Sequence, residues 1–95
     1  MATYMLPEIV VFQDVNFGGN SWRINLSYSY VGSAWNDTIS SIIVVSGTWT
    51  FCLNAGPPGP SNPNWTLGPG YYSWVENYGI PNDSISAIYI NKNAP

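Results

Sequence analysis

A seven-residue segment occurs twice in this chain of 95 residues. Asn36-Asp37-Thr38-Ile39-Ser40-Ser41-Ile42 returns as Asn82-Asp83-Ser84-Ile85-Ser86-Ala87-Ile88, with five of the seven positions identical. A second landmark repeats upstream of each copy: Phe12, Phe17, Gly19 and Ser21 correspond, at a constant offset of 40, to Cys52, Pro57, Gly59 and Ser61. The Asn-Asp segments are offset by 46, so the second half holds six more residues between its landmarks than the first. Units of about 40 residues are too small to bury separate cores, so the two must pack on each other. The chain is therefore expected to form a single domain over 1–95, with motif one at about 8–47 and motif two at about 48–91.

The local pattern points to an all-β fold. No segment of ten or more residues spaces its apolar positions at 3, 4 and 7, as a helix would require. Short β-branched and aromatic runs are punctuated instead by Gly, Pro, Asn and Asp. Strands are predicted at Glu8–Gln13, Ser21–Leu26, Ser40–Ser46, Thr48–Leu53, Asn64–Leu67 and Ser84–Asn91, in an antiparallel sandwich or small barrel. Ile9, Val11, Ile42, Val44, Ile85 and Ile88 are the expected core. Alternation along the third predicted strand puts Ser40, Ile42 and Val44 on one face and Ser41, Ile43 and Val45 on the other. Both faces turn apolar after the serines, so only the strand's entrance offers polar oxygen.

Composition removes several functions. Arg23 and Lys92 are the only basic side chains, too few for the phosphate contacts of nucleic-acid binding. With no histidine and a single cysteine, a tetrahedral zinc site, a disulfide framework and any His-dependent triad are excluded. No apolar run approaches the roughly 20 residues of a membrane helix, so no membrane partner is expected. The N-terminal residues show neither a basic n-region nor a long apolar h-region; no signal peptide is visible, and the compartment stays open. Five side-chain carboxylates exist, and nothing singles out a catalytic pair among them, so no enzyme is expected. Cys52 has no basic neighbour in sequence to activate it and reads as a buried small hydrophobe.

Taken together, the repeated residues resemble the βγ-crystallin family. Phe12, Phe17, Gly19 and Ser21 match the aromatic-x4-aromatic-x-Gly hairpin and following Ser that open each family motif. Asn36 to Ser41 match in full the closing signature Asn/Asp-Asn/Asp-x-x-Ser/Thr-Ser, and Asn82 to Ala87 match three of its four specified positions. Ser46 to Trp49, Leu67 to Tyr72 and Gly79 to Pro81 are most similar to an archaeal member of that family. The resemblance covers nearly the whole chain and implies two Greek-key motifs forming a βγ-crystallin sandwich, with two calcium ions bound in sites shared between the motifs. The departures gather in motif two. Cys52 and Pro57 replace hairpin aromatics, Asn54 to Asn64 is longer and Pro-rich, and Ala87 replaces the final Ser, which implies a weakened second site.

The resemblance also implies a ligand set. Asp37 and Ser40, with Asp83 and Ser86, supply side chains; Thr38, Ser84, Gln13 and Leu53 supply backbone carbonyls. Calcium takes six to eight oxygens from such groups. With about one carboxylate per ion, affinity is expected in the micromolar-to-millimolar range, suited to a calcium-rich or extracellular setting. A single Asn-Asp-x-x-Ser would read as a turn that starts a strand, its Asp and Ser bonding the local backbone; the duplication favours the metal. The sixth-position Ser is expected to support the site through hydrogen bonds rather than to ligate.

Five Trp, seven Tyr and three Phe exceed what one small core holds, so some of Tyr28, Tyr30, Trp35, Tyr71, Tyr72, Trp74 and Tyr78 are expected at the surface. They read chiefly as covers for the sandwich ends. The alternative is a homo-oligomer contact, or a carbohydrate- or protein-binding effector surface with aromatic platforms for sugar rings.

Overall fold

A computed structural model of the chain describes residues 7–92. Residues 1–6 and 93–95 of the expected domain lie outside that range. Among the described residues seven strands follow in order: β1 (Glu8–Asp14), β2 (Gly18–Ile24), β3 (Ser41–Ser46), β4 (Thr48–Cys52), β5 (Asn64–Leu67), β6 (Gly70–Tyr72) and β7 (Ala87–Lys92). Short 3-10 turns at Val15–Phe17 and Val75–Tyr78 join β1 to β2 and follow β6. All pairings are antiparallel, in a four-stranded sheet of order β2-β1-β3-β6 and a three-stranded sheet of order β5-β4-β7.

The repeat in the sequence is a pseudo-twofold in space. Hairpin β1–β2 corresponds to β4–β5, and β3, paired with β1, corresponds to β7, paired with β4. The remaining segment of each motif crosses to the other sheet. β6 of motif two lies along β3, with Ile42 opposite Tyr72. Its counterpart in motif one is a single bridge, where Tyr28 and Ile88 exchange backbone hydrogen bonds of 2.7 and 2.9 Å. This exchange makes each motif a Greek key and locks the pair together. Gly47 alone separates β3 from β4; it is buried, with φ 83°, a left-handed value that glycine adopts without strain.

Strands form where the β-branched runs were expected, with shifts of one to three residues at the ends. Sequence reading missed β6 because Gly-Tyr-Tyr is too short to show alternation. All six expected core residues are buried, joined by Trp49 and Phe51 at 0% exposure. The buried indole of Trp49 is satisfied by donating to Ser46 O at 3.0 Å. Ile39 and Ile85, the central residues of the two repeated segments, are also at 0% exposure. Burying such a side chain contributes about 1.5–3 kcal/mol, so the segments are fixed by apolar anchors from within.

Two consequences are measurable. Burial pushes the Cys52 thiol above its ordinary pKa, so the folded protein should resist iodoacetamide at neutral pH and react only at its unfolding rate; rapid alkylation would contradict the burial. Gly19 and Gly59, equivalent in the repeat, should differ. A methyl at Gly19 (φ 74°) would meet Asp14 Oδ2 at 2.6 Å, whereas Gly59 has open space around it. In urea melts, Gly19→Ala should cost about 1–3 kcal/mol, and Gly59→Ala less than about 0.5 kcal/mol.

Candidate metal centre

The two Asn-Asp loops face each other across the pseudo-twofold. Asp37 and Asp83 adopt left-handed backbone, with φ 59° and 58°, a conformation that Asp tolerates better than most side chains. Each is tied to the opposite motif: Asp37 N–H donates to Ile85 O at 3.2 Å, and Asp83 N–H to Ile39 O at 3.4 Å. The signature serines are pinned just as symmetrically. Ser40 N–H donates to Phe12 O and Ser86 N–H to Cys52 O, both at 2.9 Å. Their carbonyls accept from Val75 N–H and Val31 N–H respectively, again at 2.9 Å. Backbone bonds thus hold each serine between its own hairpin and the other motif's crossing segment.

This cradle brings together residues far apart in sequence. Ser40 is buried, and its hydroxyl donates to Asp83 Oδ1 at 3.1 Å, across 43 residues. Motif one's serine therefore meets motif two's carboxylate. Ser86 is buried too, one residue beyond the carbonyl that holds Asp37. Gln13 and Leu53 each follow directly the hairpin residue, Phe12 or Cys52, whose carbonyl holds a signature serine. The Thr38 hydroxyl donates to Trp35 O at 2.8 Å and the Ser84 hydroxyl to Pro81 O. Both hydroxyls are engaged locally. The Gln13 side chain braces the loop by donating to Ala34 O at 3.4 Å and accepting from Asn20 Nδ2 at 3.1 Å.

Two features escaped the sequence reading. The amide oxygens of Asn36 and Asn82, the first signature residues, are buried and meet no donor. Buried acceptors are nearly always satisfied, so a symmetric pair of orphans marks both loops as oxygen-rich and donor-poor. Among the described residues no cluster of three or more His, Cys, Asp or Glu forms. The available donor set is one carboxylate per loop with hydroxyl, carbonyl and amide oxygens, which fits a hard cation.

The second feature concerns the missing serine. In motif one, Ser41 Oγ donates to Asp14 O at 2.6 Å and accepts from Phe17 N–H at 3.0 Å, closing the hairpin onto the strand as expected of a supporting group. The motif-two equivalents are Ala87, Asn54 and Pro57. Proline has no N–H to donate, so the hydroxyl and one of its partners are lost together. The carbonyl of Asn54 is met instead by Asn62 Nδ2 at 2.9 Å, from the inserted loop. Asn62 is buried, accepts from Asn54 N–H at 2.8 Å, and donates to Gly56 O and Pro57 O, both at 3.2 Å. The longer Pro-rich loop is therefore internally braced, and Asn62 replaces the absent serine. A Ser-Asn pair between two prolines, Pro60 and Pro63, gives no sequence signal for this.

Replacing Asn62 by Ala should cost about 2–4 kcal/mol in denaturant unfolding, because several buried backbone groups lose their partner. Restoring the family residue, Ala87→Ser, should not help: the new hydroxyl enters a fully buried position, and the residue equivalent to the Phe17 donor is a proline with no N–H, at a cost of about 1–3 kcal/mol.

Comparison with known proteins places this geometry. The Beta/Gamma crystallin family model matches residues 8–90. A beta/gamma-crystallin of Ciona intestinalis is 38% identical over 84 residues, covering 87% of this chain and 96% of that protein. Among solved structures, a betagamma-crystallin from an archaeon is 43% identical with a TM-score of 0.79, covering 90% of this chain and 99% of the other. A transition-metal-ion-binding betagamma-crystallin from Methanosaeta thermophila is 29% identical with a TM-score of 0.72, covering 87% and 99%.

Proposed function

Because the chain belongs to the beta/gamma-crystallin family, we propose that it is a non-enzymatic calcium-binding domain in which the ion joins the two motifs and stabilises their packing. The observation that supports this is the Ser40 hydroxyl lying 3.1 Å from Asp83 Oδ1, a neutral and an anionic oxygen from opposite motifs at one point. One ion would be held by Asp83 and Ser40 with the carbonyls of Ser84 and Gln13. The pseudo-twofold mate would use Asp37 and Ser86 with the carbonyls of Thr38 and Leu53. Calcium, when bound, would supply a divalent charge shared by neutral dipoles and one carboxylate, and Ser40 and Asp83, now joined by a hydrogen bond, would hold it between the motifs.

The donor chemistry favours calcium over the transition metals named for the Methanosaeta relative. This chain has no histidine and its one cysteine is buried, whereas imidazole and thiolate are the ligands that select such ions. Oxygen-only sites suit calcium or magnesium, and a set made largely of carbonyls and hydroxyls suits the larger, more flexibly coordinated ion. Affinity follows from charge: with one carboxylate each, the sites belong toward the micromolar-to-millimolar end of the range. The brace by Asn62 supports a second site that survives the loss of its serine.

Thermal melts in EGTA and in excess calcium test the proposal. Saturation at about a hundredfold over Kd adds about 2.7 kcal/mol for each site filled, which for a domain of this size raises Tm by about 10–20 °C per ion. Asp37→Ala or Asp83→Ala should each remove part of the shift, and the double variant all of it. Superimposable melts with and without calcium would defeat the reading.

A further inference from the structure

A groove of about 400 Å³ opens between the 3-10 turn after β1 and the segment after β6, lined by Val15, Asn16, Ser73, Trp74 and Asn77. Its two walls are joined by one backbone bond, Asn16 N–H to Ser73 O at 2.8 Å. Trp74 is 38% exposed and Val15 43%, so an aromatic residue stays partly open to solvent in a lining that also holds Asn16, Asn77 and Ser73. None of the five lining residues is charged. The volume lies within the ordinary range for small-molecule sites, about 300–1,000 Å³.

The pseudo-twofold provides an internal control. Its equivalent of the bond between the walls is Gly56 N–H to Ser29 O, at 2.9 Å. There the residues matching Val15, Asn16 and Trp74 are Ala55, Gly56 and Tyr30. Asn16 and Gly56 share left-handed backbone, with φ 56° and 98°. Glycine occupies that conformation without strain, and Asn is among the side chains that tolerate it best. Motif one thus carries a polar side chain where motif two has none, and Asn16 lines the groove. A flat apolar ring flanked by uncharged donor–acceptor groups matches a sugar: the C–H face of a pyranose packs on indole, and its hydroxyls both donate to and accept from carboxamides.

We propose that this groove is a binding site for a neutral sugar ring. The site stands apart from the calcium reading and uses none of its ligands. The test is a titration of the 15N-labelled protein, in EGTA, with cellotriose, mannotriose and chitotriose at millimolar concentration. The expected result is saturable shifts, with at least one of the three, of the Trp74 indole N–H and the Asn16 and Asn77 side-chain amides, while the indole of Trp49 stays unmoved. Trp74→Ala should weaken binding by about tenfold or more, and Tyr30→Ala should leave it unchanged. Asn16→Gly separates function from folding: it should keep or raise Tm, because the left-handed residue is relieved, and still weaken the sugar. Shifts absent with all three sugars would overturn the proposal, as would binding unaffected by both Trp74→Ala and Asn16→Gly.

Discussion

Everything in this fold depends on a reciprocal pair of backbone hydrogen bonds at the pseudo-twofold, Asp37 N–H to Ile85 O and Asp83 N–H to Ile39 O. Each bond ends next to a signature serine, and the carbonyl oxygens that accept belong to isoleucines at 0% exposure. Polar exchange at the surface and apolar anchoring beneath it are therefore one device, repeated twice in the sequence. Neither half completes it alone. The carboxylates sit in left-handed turns, and that unfavourable backbone is held in place by the opposite motif.

Relatives from an archaeon and from Ciona share the architecture at 35–43% identity. In this chain each half of the device uses a short list: an Asp in a left-handed turn, a buried isoleucine two positions on, and a serine beside it. Around that list the two motifs differ from each other. The replacement of Ser41 chemistry by Asn62 in motif two shows how far that difference goes. A hydroxyl on a strand and an amide on an inserted loop satisfy corresponding carbonyls, Asp14 O and Asn54 O.

The positions of six of the seven strands and the identity of the core were legible because β-branched alternation and turn residues report directly on burial. Ile9, Val11, Ile42 and Val44 show this on one sheet, and Ile88 on the other. The ligand candidates came from the family resemblance that the repeated signature carries, since a lone Asn-Asp-x-x-Ser is an ordinary turn. The cross-motif meeting of Ser40 with Asp83 depends on packing across 43 residues, which no local pattern encodes. Asn62 and the orphaned oxygens of Asn36 and Asn82 were hidden for the same reason: their roles are set by neighbours in space. The groove beside Trp74 was foreshadowed only as an excess of aromatics, read chiefly as covers for the sandwich ends, with a ligand-binding surface as the alternative.

The crossing segments carry a cost at high concentration. β6 lies in the first sheet and Tyr28 bridges to the second, while a single buried glycine, Gly47, joins the halves. Chains that come apart at that joint each display the vacant strand position that another copy's segment fills. Refolding from crowded solution therefore sets self-closure against interlocked dimers with the same pairings, and dilution rather than sequence decides between them.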